Sequence, residues 1–184
     1  MSDSSGPPGR EKQRAFSRVA TNIQAWMRLL PSVDSPPIFQ SLPVPPPPPS
    51  GGSSLSDAVI DHLNHLDAKL DTILSLLSRD LIRDDFPLTA QVSEISGAGV
   101  KLVTDHGFSA GQPVEVVLVL SRMPLRLAGA TGMTVRQEAP EHVEHPGLSQ
   151  WVVDFARIRE PDLEAIVQFV FSEQRQHIRE KRWS

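Results

Sequence analysis

Glu94-Ile95-Ser96-Gly97-Ala98-Gly99 joins two extended segments and sets a carboxylate, a hydroxyl and two glycines within one short stretch. Glycines one residue apart let the backbone take positive φ or approach another group closely, and the Ser96 hydroxyl both donates and accepts. The segment reads in two ways. It is a ligand turn, with Ser96 facing a phosphate or a base edge, or it is the plain corner of a strand–turn–strand unit.

Around this stretch the hydrophobic period is two. Strands are expected at Leu88 to Ile95, Gly99 to Val103, Val114 to Ser121, Leu125 to Glu138 and Ser149 to Ile158, separated by turn-forming residues at 105–113, 122–124 and 139–147. Five short strands with no helix between them predict a small antiparallel β-barrel. Glu160-Pro161-Asp162 then opens a closing helix with Leu163, Ile166, Val167, Val170 and Ile178 on one face. Its end carries Arg175, Arg179, Lys181 and Arg182, which complement the negative helix terminus without any partner.

On the amino-terminal side of the barrel the period changes to heptads. Ser56, Leu63, Leu70 and Leu77 take one seam position (a), and Val59, Leu66 and Ile73 take the other (d). The helix is expected over 55–83, with Ser54 as its N-cap. Leucine at a with β-branched residues at two of the three d positions shifts preference from dimers to trimers or tetramers. Leu55, Ile60, Leu74 and Leu76 widen the apolar stripe. The oligomerisation residues are therefore Val59, Leu63, Leu66, Leu70, Ile73 and Leu77, and the expected partner is a further copy of the chain, through residues 56–79. Packing of this helix on its own barrel is the competing reading.

Residues 31–54 hold nine of the 17 prolines, ending in Ser50-Gly51-Gly52-Ser53-Ser54, and read as a stiff polyproline spacer with a flexible end. Before them, Phe16, Val19, Ile23, Trp26, Met27 and Leu30 recur at spacings of three and four, which predicts an amphipathic basic helix over 10–30 after a disordered tail at 1–9. With Arg10, Lys12, Arg14, Arg18 and Arg28 that helix suits either an anionic membrane surface or, as the favoured reading, docking on protein.

Composition narrows the function classes. The chain has no cysteine, which excludes disulfides, thiolate metal sites and cysteine nucleophiles and points to a reducing cytoplasm. Neither a signal-peptide layout nor a bilayer-length apolar run is present. A net charge of −4, with no basic cluster interleaved with aromatics, argues against a nucleic-acid partner. His142-Val143-Glu144-His145 offers two imidazoles, but a polar hairpin loop accounts for it, and no metal site is expected. No Gly-x-Ser-x-Gly, phosphate-loop lysine or Ser-His-Asp layout occurs, so catalytic residues are not expected.

From Leu88 onward the sequence resembles the PilZ family, small bacterial β-barrels known as cyclic di-GMP receptors. Glu94-x-Ser96-x-x-Gly99 is similar to the family's (Asp/Asn)-x-Ser-x-x-Gly turn, Trp151-Val152-Val153-Asp154-Phe155 to its late barrel strand, and Ile166-Val167-Gln168-Phe169-Val170-Phe171-x-x-Gln174-Arg175 to its closing helix. The family's Arg-x-x-x-Arg, placed before the barrel, is similar to Arg79-Asp80-Leu81-Ile82-Arg83. The resemblance implies an α+β fold: a PilZ-like barrel and C-terminal helix over 84–184. As a receptor it would bind cyclic di-GMP through Arg79, Arg83, Glu94, Ser96 and Gly99.

Two departures point elsewhere. Glu94 carries one methylene more than Asp, and only about one strand separates Arg83 from Glu94. Arg79 and Arg83 also serve as helix-end charges beside Asp80, Asp84 and Asp85. A heptad helix fused to such a barrel resembles the multimeric, ligand-defective branch of the family. That likeness implies an oligomeric regulatory and protein-interaction module in motility, adhesion or virulence signalling, without a cofactor, its protein partner unspecified.

Overall fold

The structure, a computed structural model, describes residues 16–40, 56–122, 124–139 and 147–183. Its centre is a closed barrel of β1 (Arg18–Leu29), β2 (Leu88–Ser96), β3 (Gly99–Thr104), β4 (Pro113–Arg122), β5 (Leu125–Glu138) and β6 (Ser149–Ile158), ordered β1-β2-β3-β6-β5-β4 with every neighbour antiparallel. Two helices flank it among the described residues, α1 (Asp57–Asp85) and α2 (Glu160–Trp183). The five strands expected from the period-two pattern are present to within a residue at each end. The α1 start differs: Ser56 stands at its N-cap, and the expected cap, Ser54, lies outside the described residues.

The expected helix over 10–30 is corrected. Residues 18–29 form β1, which pairs with β2 on one side and β4 on the other, so the barrel has six strands. The three-and-four spacing arose because β1 is buried on both faces. Val19, Ala25 and Met27, with Ile23, face the barrel interior, whereas Trp26 belongs to a second cluster with Phe86, Val117 and Val119. Merging an inner and an outer row imitates a helical period. A register shift between Ala20 and Ile23 further breaks the alternation. Residues 10–15 lie outside the described residues, as does the expected tail at 1–9.

The start of the expected spacer is also docked. Residues 36–40 lie across the outer wall, where buried Glu115 accepts the backbone N–H groups of Ile38 (3.3 Å) and Phe39 (2.9 Å). The Arg28 guanidinium holds the same carboxylate at 2.6 and 2.7 Å, so the buried charge is paired and hydrogen-bonded on both oxygens. Phe39 fills the space over Gly129 that a Cβ would occupy. Residues 41–55 lie outside the described residues.

α2 closes the barrel by placing Ile166 and Val170 in the main core beside Val92, Leu102, Val116, Leu118 and Val153. α1 is different. Among the described residues its last turn joins the barrel, through Ile82 and the residue after the helix, Phe86, which pack on Trp26, Val117 and Val119. At 29 residues and ~1.5 Å rise it is about 43 Å long. Most of that length carries exposed leucine, isoleucine and valine.

A chain beginning at Pro31 tests the strand. As a barrel strand, β1 leaves two unpaired edges and an opened core when removed, so this truncation is expected to lose cooperative thermal unfolding and near-ultraviolet circular dichroism. A barrel that still melts cooperatively without residues 18–29 would contradict its role.

Candidate functional site

β2 and β3 meet at Gly97 and Ala98. Ser96 is buried, and its hydroxyl is engaged within the turn: Oγ donates to the Gly99 carbonyl (3.2 Å) and accepts from the Ala98 N–H (3.2 Å). The Ala98 carbonyl accepts from the Phe155 N–H at 2.8 Å, tying the turn to β6. Neither Gly97 nor Gly99 has positive φ; that conformation belongs to Gly111 and Gly147. What the turn requires is space. A Cβ at Gly99 would overlap the Val153 carbonyl and crowd the Asp154 Cα at 3.2 Å, and one at Gly97 would strike the Phe16 ring.

Glu94 faces outward beside the turn and is engaged on both oxygens. Oε1 lies 3.5 Å from Arg18 Nη1 and Oε2 lies 3.5 Å from Lys101 Nζ. Lys101 sits directly across the β2–β3 pair from Glu94 and also reaches Glu138 at 3.3 Å, which in turn meets Arg136 at 2.6 Å. The result is a charged row over the barrel exterior, Arg18–Glu94–Lys101–Glu138–Arg136. Within it, the hydrogen bond from Arg136 outweighs desolvation and, with the hydrogen bond and charge of Lys101 added, holds the Glu138 carboxyl below the usual carboxylate range.

The structure brings Glu94, Ser96 and Gly99 together but sets the expected arginines apart. Arg83 is exposed on the last turn of α1, a helix that packs against β1 and β5. Arg79 lies one turn earlier on the same helix. α1 leads into the opposite end of β2 from the turn, with Leu88 and Glu94 roughly 20 Å apart at ~3.3 Å per residue. The arginine that reaches Glu94 is Arg18, the first residue of β1, paired in register with Ser96. The expected basic helix over 10–30 gives Arg18 no place beside the turn. One signal was available: Arg14-Ala15-Phe16-Ser17-Arg18 repeats the Arg-x-x-x-Arg spacing immediately before the first barrel strand, although Arg14 lies outside the described residues.

His142 and His145 also lie outside the described residues, and among those described no group of three or more His, Asp or Glu is placed to hold a metal. Among them, too, no helix is long and apolar enough to cross a membrane.

No family model and no curated protein matches the sequence. Solved structures do match the fold. The Bacillus subtilis inhibitor of motility (MotI/DgrA) superposes with a TM-score of 0.51 at 12% identity, over 92% of this chain and 56% of that one. A pathogenic protein from Xanthomonas campestris, described as a tetrameric PilZ domain self-assembled via an unusual helical bundle, superposes with a TM-score of 0.53 at 17% identity, over 90% of this chain and 91% of that one. This chain thus spans little more than half of the motility inhibitor. At these identities the likeness establishes a PilZ-like fold.

Two expected outcomes follow from the geometry. Gly99→Ala forces backbone apart and is expected to cost ~1–3 kcal/mol in chemical denaturation, whereas Gly97→Ala meets only the movable Phe16 ring and costs less. Because the folded-state pKa of Glu138 is depressed, its contribution is present above its ordinary value of 4.5 and lost as pH falls through the lowered value. Wild type is therefore expected to lose more stability than Glu138→Gln on acidification below that value, read as melting temperature against pH.

Proposed function

We propose that this chain is an oligomeric regulatory module of bacterial cyclic di-GMP signalling, in which α1 assembles copies and the barrel presents a surface to a protein partner, without catalysis. One observation carries the reading. The heptad seam of α1 exposes Val59 (43%), Leu63 (49%), Leu66 (42%), Leu70 (55%), Ile73 (51%) and Leu77 (55%), on a helix that, among the described residues, packs on its barrel at the carboxyl end. A surface of that kind is stable in water when other helices cover it. The tetrameric, bundle-forming Xanthomonas neighbour supports the same reading, and the a/d composition favours a trimer or tetramer over a dimer. A bacterial cytoplasm is the compartment this function implies.

The turn supports weak or absent nucleotide binding. A guanine edge seeking the Glu94 carboxylate would compete with Arg18 and Lys101, and the Ser96 hydroxyl is already engaged with Gly99 and Ala98. The second reading, a genuine cyclic di-GMP receptor, gains one observation in its favour: Arg18 stands beside the turn, with Arg14 four residues earlier in sequence. Guanidinium groups pair with phosphates and stack on guanine, so Arg18 is a better candidate than Arg79 or Arg83 under that reading.

Sedimentation equilibrium of the full chain at micromolar concentration is expected to give a trimer or tetramer, and Leu66→Asp with Ile73→Asp is expected to reduce it to monomer. A monomeric wild type, or a mass unchanged by both substitutions, would sink the assembly reading. Calorimetric titration with cyclic di-GMP is expected to show no micromolar binding. Micromolar heat abolished by Arg18→Ala but retained in Arg83→Ala would establish the receptor reading instead, through the arginine at the turn.

A further inference from the structure

The outer wall holds residues 36–40 as it would a bound peptide. Glu115 accepts the N–H groups of Ile38 and Phe39, Arg28 Nη2 donates to the Pro36 carbonyl at 3.3 Å, and the Phe39 ring occupies the notch over Gly129. Just before this segment, Arg157 Nη1 donates to the Asp34 carbonyl at 3.3 Å. Apart from the ring, all of these contacts are to backbone. The wall therefore reads an extended chain with one aromatic side chain, the division of labour by which sheet surfaces recognise peptides.

The fit is incomplete. Alternate side chains of an extended segment share a side, and Pro37 and Phe39 both line a cavity of about 150 Å³ together with Thr131, Arg157 and Arg159. Pro37 brings no polar side-chain group to it. Arg159 Nε donates to Asp162 Oδ2 at 2.7 Å, and Asp162 Oδ1 accepts the Gly129 N–H at 3.1 Å. Arg159 Nη2 is buried and has no hydrogen-bond partner among the described residues, and a buried donor left unmet is costly. The Phe39 ring lies over this guanidinium, its centroid 5.9 Å from Cζ, and offers a π face but no acceptor oxygen. Glu115 also lines the cavity, but Arg28 and the two N–H groups already hold its oxygens. The cavity thus offers room for a side chain beside two guanidinium groups.

We infer that this cleft is a recognition site for an extended segment of a protein partner with the pattern acidic-x-aromatic, and that residues 36–40 occupy it in the partner's absence. The partner's ring takes the Gly129 notch, its backbone N–H groups bond Glu115, and its carboxylate, two residues before the ring, pairs with Arg157 and Arg159. Pro37 stands at that carboxylate's position and cannot make the pair, so opposite charge separates the partner's segment from the chain's own. This rests on the reading of the barrel as a surface for a protein partner, and it names the surface.

Fluorescence anisotropy on the full chain tests it, with labelled peptides as probes: the sequence of residues 34–40 and its Pro37→Glu and Pro37→Gln forms. In the chain, Phe39→Ala with Ile38→Pro removes the ring and one of the two N–H donors, which opens the cleft. This opened chain is expected to bind the Pro37→Glu peptide about tenfold tighter than the Pro37→Gln peptide, and wild type to bind both more weakly because its own segment competes. Adding Gly129→Ala is expected to abolish binding. The three atoms nearest a Cβ at Gly129 all belong to the Phe39 ring, so the barrel is retained, as circular dichroism would show. Arg157→Gln with Arg159→Lys is expected to erase the preference for the acidic peptide. Equal affinity for the two substituted peptides, a preference that survives the arginine changes, or binding indifferent to Gly129→Ala overturns the inference. So does an unaltered peptide that binds as tightly as the acidic one, since the cleft would then be built for the chain's own segment, in cis or from a second copy. Sedimentation equilibrium on wild type keeps the readings apart: an oligomer whose opened form ignores the acidic peptide sinks this inference and leaves the assembly reading standing, and a monomer whose opened form binds it does the reverse.

Discussion

Closure of the barrel by β1 is the constraint on which the molecule depends. β2 and β4 would otherwise each present a row of unpaired backbone donors and acceptors, and a sheet of this length with two open edges invites pairing with other chains. By inserting between them, residues 18–29 convert a curled sheet into a cylinder with no edge. That placement has a second consequence. It carries Arg18 to the β2–β3 turn at one end of β1 and Arg28 to the buried Glu115 near the other, so one strand supplies cations to both the candidate site and the outer wall.

The outer wall then determines what α1 and the segment after β1 can do. Trp26, Val117 and Val119 form an apolar patch on the barrel exterior, and Phe86 with Ile82 from the end of α1 covers it, as does Phe39 from residues 36–40. Each buried large side chain is worth roughly 1.5–3 kcal/mol, which favours docking of the carboxyl end of the helix on this patch. Glu115 secures the same region. A carboxylate this buried is tolerated because Arg28 and two backbone N–H groups surround it, and removing one partner from such a site typically costs ~3–5 kcal/mol. The helix thus meets the barrel through Ile82 and the following Phe86 at its carboxyl end.

The candidate site was legible in part. Glu94, Ser96 and Gly99 could be read as a corner because glycine spacing and a hydroxyl report local backbone demands, and the close approach of Gly99 to Val153 bears that out. The arginine partner was ambiguous, because two Arg-x-x-x-Arg spacings occur, at 14–18 and 79–83, and which of them precedes the barrel depends on which strand comes first. With residues 10–30 as a helix and Leu88 as the start of the first strand, the spacing before the barrel is that of Arg79 and Arg83. Once β1 is a strand, Arg18 occupies the position beside the turn, with Lys101 completing the enclosure of Glu94.

Sequence alone determined the elements whose side chains meet one kind of surface. β2, β3 and β6 are such elements, as are the heptad seam and α2, since a period of two, three and a half or 3.6 survives when only one face is buried or one seam is apolar; β4, buried on both faces from Val114 to Leu120, was legible instead as a short continuous run of β-branched and leucine residues bounded by turn formers. β1 escaped because its inner row faces the core and its outer row meets Phe86, and the sum of two buried rows has no strand period. Tertiary structure alone decided the strand count, the pairing of Glu94 with Arg18 and Lys101, and the docking of residues 36–40. Each depends on groups distant in sequence, such as Glu115 with Phe39, or Ser96 with Arg18, that only closure of the barrel brings within hydrogen-bonding or pairing distance.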